Sequence, residues 1–400
     1  METNWSGTYT FTGRIERPDT LEQAQQVVAD AARLRPLGTR HSFNEVADGE
    51  VLLDLTGLPG EPVLDEAAGT VTFPGGFRYA RVATWLEERG WALHNMGSLP
   101  HISVAGAVST GTHGSGTGNG SLATAVRGLT FLAPDGSLRR IEAGEEGFQG
   151  SVVALGALGP VASVTLAVEP SYRVRQDVFT DLSWDAVLAD VQGIMGAAYS
   201  VSLFTKWTDE FSLWLKTRLP GEVFDAAALG AHPAEQTSLA EGEDNTTKQG
   251  GVPGAWSERL PHFRIDSTPS NGDEIQTEYW IPLERAADAL RAVRELGPRL
   301  ADALHITELR SVAADELWLS PGYRRTSLCV HFTWQNKPTE VAGLVPAVEA
   351  ALAPFDPRPH WGKVFDRPAS YERAGDFREL ARTVDPQGKF RNGFLERVGL

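Results

Sequence analysis

One cysteine, Cys329, in 400 residues excludes an intrachain disulfide and a thiolate metal cluster, and it fits a reducing compartment. The nine histidines include no His-x-x-x-His or similar ligand spacing with carboxylates, so no metal centre is expected. Basic clusters are missing as well. At a formal net charge of −16 the chain repels polyanions, which excludes nucleic acid and anionic membrane surfaces as partners. No uninterrupted apolar run reaches transmembrane length, and the opening Met-Glu-Thr-Asn-Trp has neither a basic nor an apolar leader region. These absences predict a cytoplasmic protein without a membrane partner. The usual phosphate signatures, Gly-x-Gly-x-x-Gly opening a helix after a strand and Gly-Lys-[Ser/Thr], are not found either.

What the chain does contain is an ordinary globular composition, 42% hydrophobic and 22% charged, long enough for two domains with real cores. Residues 95–121 hold Gly97, Gly106, Gly111, Gly114, Gly116, Gly118 and Gly120 among serines and threonines. Glycines allow close backbone approach and the hydroxyls add donors, so the stretch reads as a phosphate cradle. A mobile linker would not need Ile102, Val104, Ala105, Ala107 and Val108 threaded through it.

The capping pair Thr20 and Gln23 and the apolar spacing after it predict a helix over about 20–34. The polar turn Arg35 to Asn44 follows. Strands are expected at 51–55, 62–64 and 71–73, a helix from Tyr79 to near Gly90, strands either side of Pro134-Asp135-Gly136, and a helix over about 146–154. A glycine turn then runs into a strand ending at Val168. Beyond Pro170 come strands at 203–207 and 211–216, helices over about 184–197 and 283–296, and a Gly221 to Gly254 tract expected to be a surface loop. Strands near 305–312 and 326–334 and helices near 340–353 and 370–383 complete an α+β chain. The expected division is 1–170, 171–350 and a closing segment, 351–400.

Two segments together carry a resemblance. Gly38-Thr39-Arg40-His41-Ser42, followed by Gly97-Ser98 and by Ser103 to Gly114, resembles the FAD domain of the vanillyl-alcohol oxidase family. Thr307-Glu308-Leu309-Arg310, His331-Phe332-Thr333-Trp334 and His360-Trp361-Gly362-Lys363 resemble its sugar-alcohol and aldonolactone oxidases. The resemblance implies a two-domain fold and oxidation of a terminal polyol alcohol (xylitol, sorbitol or glycerol type) to the aldose, with O2 reduced to hydrogen peroxide. Polyol and O2 are then the small-molecule partners of a chain expected to be a monomer. An aldonolactone oxidase or dehydrogenase is the alternative, and a flavin- or carbohydrate-binding protein without turnover a third reading.

The resemblance also implies roles. His41 matches the histidine bonded covalently to the flavin. Gly38, Thr39, Arg40, Ser42, Ser98, Ser103, Gly106, Thr110, Gly111, Thr112, His113, Val161 and His360 match cofactor-lining positions. Ser98, Glu308, Arg310, Thr333 and Lys363 match substrate-binding positions, with Arg310, Lys363 and Glu308 nearest the chemistry. Gly97 matches a position where a small side chain admits O2 and a larger one shuts it out. From the residues alone, Glu308 and Arg310, two apart on a strand, share a face as either a solvated salt bridge or a pair for vicinal hydroxyls. Lys363, flanked by Trp361 and Val364, either snorkels or points into a site. His331 reads as a core histidine or a supporting contact.

Overall fold

A parallel sheet near the N-terminus explains why the first helix stops early. A computed structural model describes residues 2–237, 245–267 and 273–400. In it the helix spans Leu21–Asp30; Thr20 accepts the Gln23 N–H, and Ala24 and Val28 are its buried residues. It was expected to reach residue 34. Pro36 biases Arg35 toward extended backbone, and Arg35–Leu37 instead forms a strand on Val51–Asp54, whose other neighbour is Arg14–Glu16.

An antiparallel five-stranded sheet follows, in the order Val63–Asp65, Thr70–Pro74, Val161–Ala167, Val126–Leu132, Leu138–Glu142. Against it packs the glycine stretch, and here the structure corrects the expected cradle of loop. Its centre is a helix, Val104–Thr110, with Val104, Ala107 and Val108 buried and Gly111 ending it at φ 72°. Of the apolar residues that argued against a linker, Val104, Ala107 and Val108 form this helix's inner face and Ile102 is buried just before it.

The second half is built on a nine-stranded antiparallel sheet. Its path runs His232–Ala234, Arg173–Leu182, Phe211–Leu219, Ser200–Thr205, Leu304–Val312, Ser327–Gln335, Glu274–Pro282, Arg358–Pro359, with the ninth strand, Gly254–Ala255, paired to Arg173–Leu182 off this path. Two of its long strands, Arg173–Leu182 and Glu274–Pro282, were not anticipated, because charged and amide residues interrupt their apolar pattern. The helix expected over 184–197 is two, Trp184–Ala189 and Val191–Met195, since Asp190 leaves helical geometry and caps the second by accepting the Gly193 N–H. Helices Ala286–Arg294, Pro338–Leu352 and Ala374–Val384 fall close to expectation.

The tract expected to be a surface loop is mostly exposed over 221–237, and departs from that expectation in two places. His232–Ala234 joins the sheet edge, and Asn245, Thr246, Thr247 and Gln249 are buried. Hydroxyl and amide partners explain their burial: Thr247 Oγ1 donates to the Pro261 carbonyl at 2.7 Å. Residues 238–244 of the tract lie outside the described residues. The C-terminal segment returns to the first half, where Arg35 donates to the Phe390 carbonyl and Lys389 to the Val28 carbonyl. Among the described residues no helix is long and apolar enough to cross a membrane.

Candidate functional site

Between the glycine-bearing helix and one face of the large sheet lies a cleft of ≈ 240 Å³. Its lining includes Gly38, Thr39, Arg40, His41, Ser42, Gly97, Ser98, Ser103, Gly106, Thr110, Thr112, His113, Val161, Glu308, Arg310, Thr333, His360 and Lys363. Residues separated by some three hundred positions in sequence therefore meet in one space. Gly111 is not part of the lining; its left-handed φ serves the helix end, and a Cβ there would meet Pro321 at 3.3 Å. His101 also stands away from the lining, with Nε2 3.0 Å from the Ile265 carbonyl.

One wall carries no carboxylate, and its single guanidinium, Arg40, is paired with Glu2, so the wall is neutral overall. The 38–42 turn lies so close to the helix start that a Cβ on Gly38 would come 2.8 Å from Ser103 Oγ. Thr39 Oγ1 accepts the Ser103 N–H at 3.0 Å and lies 3.1 Å from His41 Nδ1. Arg40 holds φ 62° and Leu155, also on the cleft, φ 53°. Left-handed backbone is costly for side chains of this size, and such strain concentrates where a turn must present its groups to a ligand. His41 stacks on Trp5 at 5.4 Å. Burial, reinforced by the charge of Lys363, pushes its pKa down to about 3, so the imidazole is neutral.

The facing wall is charged, and strand register builds it. Glu308 pairs with His331, which pairs on its other side with Glu278, so three side chains stand in a row across three strands. The adjacent row places Thr333 beside Gln276. Glu278, 1% exposed, takes His113 Nε2 at 2.5 Å, His331 Nδ1 at 2.8 Å and Trp280 Nε1 at 3.1 Å. Burial alone would raise its pKa, but His113 and His331 hold it well below the usual carboxylate range.

Arg310 bridges the two walls. Its guanidinium donates to Ser98 Oγ at 3.1 Å and lies 3.5 Å from Glu308 and 3.6 Å from Glu278. Burial works against its charge, but Glu308 and Glu278 more than offset this and raise its pKa. Glu308 is likewise pushed up by burial and then held far below the ordinary carboxylate range by Arg310 and His262. Lys363 donates to Gln276 Oε1 and sits 5.0 Å over the Phe43 ring. Burial lowers its pKa to about 8, with Glu278 and Glu274 opposing. His360, also buried, accepts the Gly362 N–H at Nδ1 and is pushed down to about 3.

Gln276, Glu278, Lys216 and His262 went unmarked in the sequence. The first two had a signal: Glu274, Gln276 and Glu278 alternate with Ile275, Thr277 and Tyr279 and so share one face. Lys216 and His262 had none. His331 both lines the cleft and supports Glu278, so the two roles left open for it coincide.

The neutral wall fits a flavin dinucleotide. Residues 38–42 and 97–113 contain no carboxylate, so a diphosphate would meet hydroxyls and backbone N–H groups without repulsion. A Cβ at Gly38 or at Gly106 would fall 2.8 Å from Ser103 Oγ, so a larger residue at either position would force that hydroxyl to turn.

Comparison with known proteins agrees with this fit. The family described as FAD binding domain matches residues 14–142, and that described as D-arabinono-1,4-lactone oxidase matches 270–398. An alditol oxidase of Streptomyces sp. (strain IKD472 / FERM P-14339) is 46% identical, the match covering 98% of this chain and 97% of that protein. An L-gulono-1,4-lactone dehydrogenase of Mycobacterium tuberculosis (strain ATCC 25618 / H37Rv) is 27% identical over 99% of this chain and 98% of its own. Among solved structures, a cholesterol oxidase from B. sterolicum superposes with a TM-score of 0.76 at 14% identity, covering 99% of this chain and 96% of that one. That likeness establishes the fold alone.

Proposed function

Because this chain belongs to the vanillyl-alcohol oxidase family of FAD-binding flavoproteins, in the group of the alditol and aldonolactone oxidases, we propose that it oxidises the terminal primary alcohol of a polyol to the aldose and passes the electrons to O2, giving hydrogen peroxide. The observation that carries this reading is the charged wall, where Arg310, Glu308 and Glu278 share one sheet face and Lys363 reaches the same cleft from the turn after Arg358–Pro359, opposite the neutral wall. A polyol is a row of hydroxyls, each both donor and acceptor, and alternating guanidinium and carboxylate groups match it.

When bound, FAD supplies the two-electron acceptor for the substrate's hydride. Thr39, Arg40, Ser42, Ser103, Gly106, Thr110, Thr112, Val161 and His360 would hold it. His41, neutral and facing the cleft, is suited to covalent attachment, which needs an unprotonated ring nitrogen. Arg310 and Lys363 donate to the reacting hydroxyl and stabilise negative charge on its oxygen as the C–H bond weakens, and the hydroxyl proton is released with the hydride, the two together reducing O2 to hydrogen peroxide. Glu308, Ser98 and Thr333 orient the neighbouring hydroxyls, and fixed orientation contributes much of the rate. Gly97 leaves an open approach for O2.

Anaerobic flavin bleaching and aerobic peroxide formation test the reading across xylitol, sorbitol and glycerol against gulono- and galactonolactone. Polyols are expected to bleach the flavin fastest. A preference for lactones would replace the reading with that of an aldonolactone oxidase or dehydrogenase, and no bleaching by either class would leave a binding protein.

A further inference from the structure

Behind Glu308 the charged wall continues into a row of side chains that the reaction above does not use. Lys216, on the strand Phe211–Leu219, is 1% exposed. Its Nζ donates to the carbonyls of Leu260 and Pro261 and lies 2.9 Å from His262 Nδ1. The other nitrogen of that ring, Nε2, lies 2.6 Å from Glu308 Oε1. Amine, imidazole and carboxylate therefore run in single file from the interior to the cleft.

The donor count fixes the protons. An ammonium has three N–H groups and no acceptor, and Lys216 meets three acceptors: two carbonyls and a ring nitrogen. Nδ1 must then be the unprotonated nitrogen, which leaves the ring proton on Nε2, aimed at Glu308. Which imidazole nitrogen carries the proton is set by the partner of the other. The ring itself stays neutral, since burial and then Lys216 push its pKa down to about 4. Phe204 at 5.8 Å and Trp214 at 5.1 Å enclose the ring. Its backbone N–H donates to the Ser98 carbonyl at 3.2 Å, tying the row to a cleft residue.

We propose that Lys216 and His262 are positioning residues that keep Glu308 an ionised, correctly aimed acceptor for the non-reacting hydroxyls of the polyol. The proposal rests on the polyol reading of the cleft. With Nε2–H fixed on Oε1, the second carboxylate oxygen is left to accept from a substrate hydroxyl, while the adjacent Arg310 donates to the next one. Loss of the Lys216 proton frees His262 to take the opposite tautomer, donating from Nδ1 to the amine and turning a lone pair toward Glu308. The carboxylate then loses its donor and its aim. Burial brings Lys216 to about 7, with Glu308 facing it and raising that value and Arg310 lowering it.

These contacts are made with bound, unreacting hydroxyls, so the effect falls on binding more than on the chemical step. For Lys216→Met at pH 6.5, KM for xylitol is expected to rise about tenfold or more, the size of a lost hydrogen bond to a charged group. The flavin bleaching rate at saturating xylitol is expected to stay within about threefold. Wild-type KM should rise with pH through about 7 and the variant's should not. Equal proportional losses in KM and rate, or no change in either, would overturn the proposal. A second measurement needs no variant: in 15N NMR of the wild-type holoenzyme at pH 6, the His262 proton is expected on Nε2. Finding it on Nδ1 would overturn the proposal even if the variant failed to fold. If no polyol bleaches the flavin, the functional reading fails and the NMR result still decides the tautomer.

Discussion

The neutral wall, residues 38–42 and 97–113, offers a ligand glycines, hydroxyls and backbone, whereas the sheet wall opposite crowds Glu278, Glu308, Arg310 and His331 onto one face. The difference follows from what each wall must do. A dinucleotide that stays bound needs close approach and no repulsion, and small neutral residues supply both. A reacting alcohol changes charge during the reaction, and only charges already fixed in a dry site respond to that without rearranging. Changes to the charged wall should therefore act on substrate binding and rate, and changes to the neutral wall on cofactor retention, the flavin's own reactivity and O2 access.

The sharpest break of this contrast is Arg310→Met, which removes the donor to Ser98 and leaves Glu308 and Glu278 without their shared cation. Flavin bleaching by xylitol should slow ~10²–10³-fold, the usual cost of a lost transition-state donor. Stopped-flow absorbance measures it, and a loss below about threefold would remove Arg310 from the chemistry. Glu278→Ala tests the same wall through stability. Taking one member from a buried charge cluster costs ~3–5 kcal/mol, and denaturant unfolding of the holoenzyme should show it. The sign with pH is also fixed: a carboxylate held below its ordinary range contributes stability above the unfolded value of about 4.3, lost as pH falls toward the folded value.

On the neutral wall, His41→Ala should leave the protein folded but its flavin extractable by acid precipitation. Bleaching should slow by about tenfold, because the untethered ring is a poorer hydride acceptor. Yellow colour that stays with the precipitated variant would move the covalent link elsewhere. Between the two walls stands Lys363, whose pKa is brought down to about 8 mainly by burial. Its ammonium exists below that pH, so the rate at saturating polyol should decline as pH rises through about 8. A rate that climbs there would make Lys363 a base instead of a charge stabiliser.

The two walls were not equally legible in the sequence. The neutral wall is contiguous: the 38–42 turn and the 97–113 stretch each carry their chemistry in a few adjacent residues, so a short pattern reveals them. Even so, the helix Val104–Thr110 was hidden, since Gly106 and the serines lower its propensity and only packing of Val104 and Val108 recovers it. The charged wall is assembled by register. Glu308 and Arg310 were readable as a same-face pair, but Glu278 becomes a site residue only because Glu274–Pro282 lies beside Ser327–Gln335. Lys216 could not be told from a surface lysine, since nothing local shows that two carbonyls and a histidine await it. Non-local pairing is what a sequence pattern cannot carry.

Gly97 gives the smallest and most selective test, because it belongs to the neutral wall yet bears on the reaction. A methyl built there meets the His113 carbonyl at 3.6 Å, Thr112 Cγ2 at 3.7 Å and Leu122 Cδ1 at 3.9 Å. These are ordinary contacts, so alanine fits without moving the backbone. Stability and the rate of flavin bleaching by polyol should stay within about twofold. If O2 reaches the flavin past this position, the added methyl should slow aerobic reoxidation while leaving reduction alone. Reoxidation is followed by mixing the photoreduced enzyme with oxygenated buffer. Equal O2 rates in Gly97→Ala and the parent would show that oxygen enters by another path. A matched fall in both half-reactions would show instead that the methyl shifts the cofactor, and the division of labour between the walls would have to be redrawn at this residue.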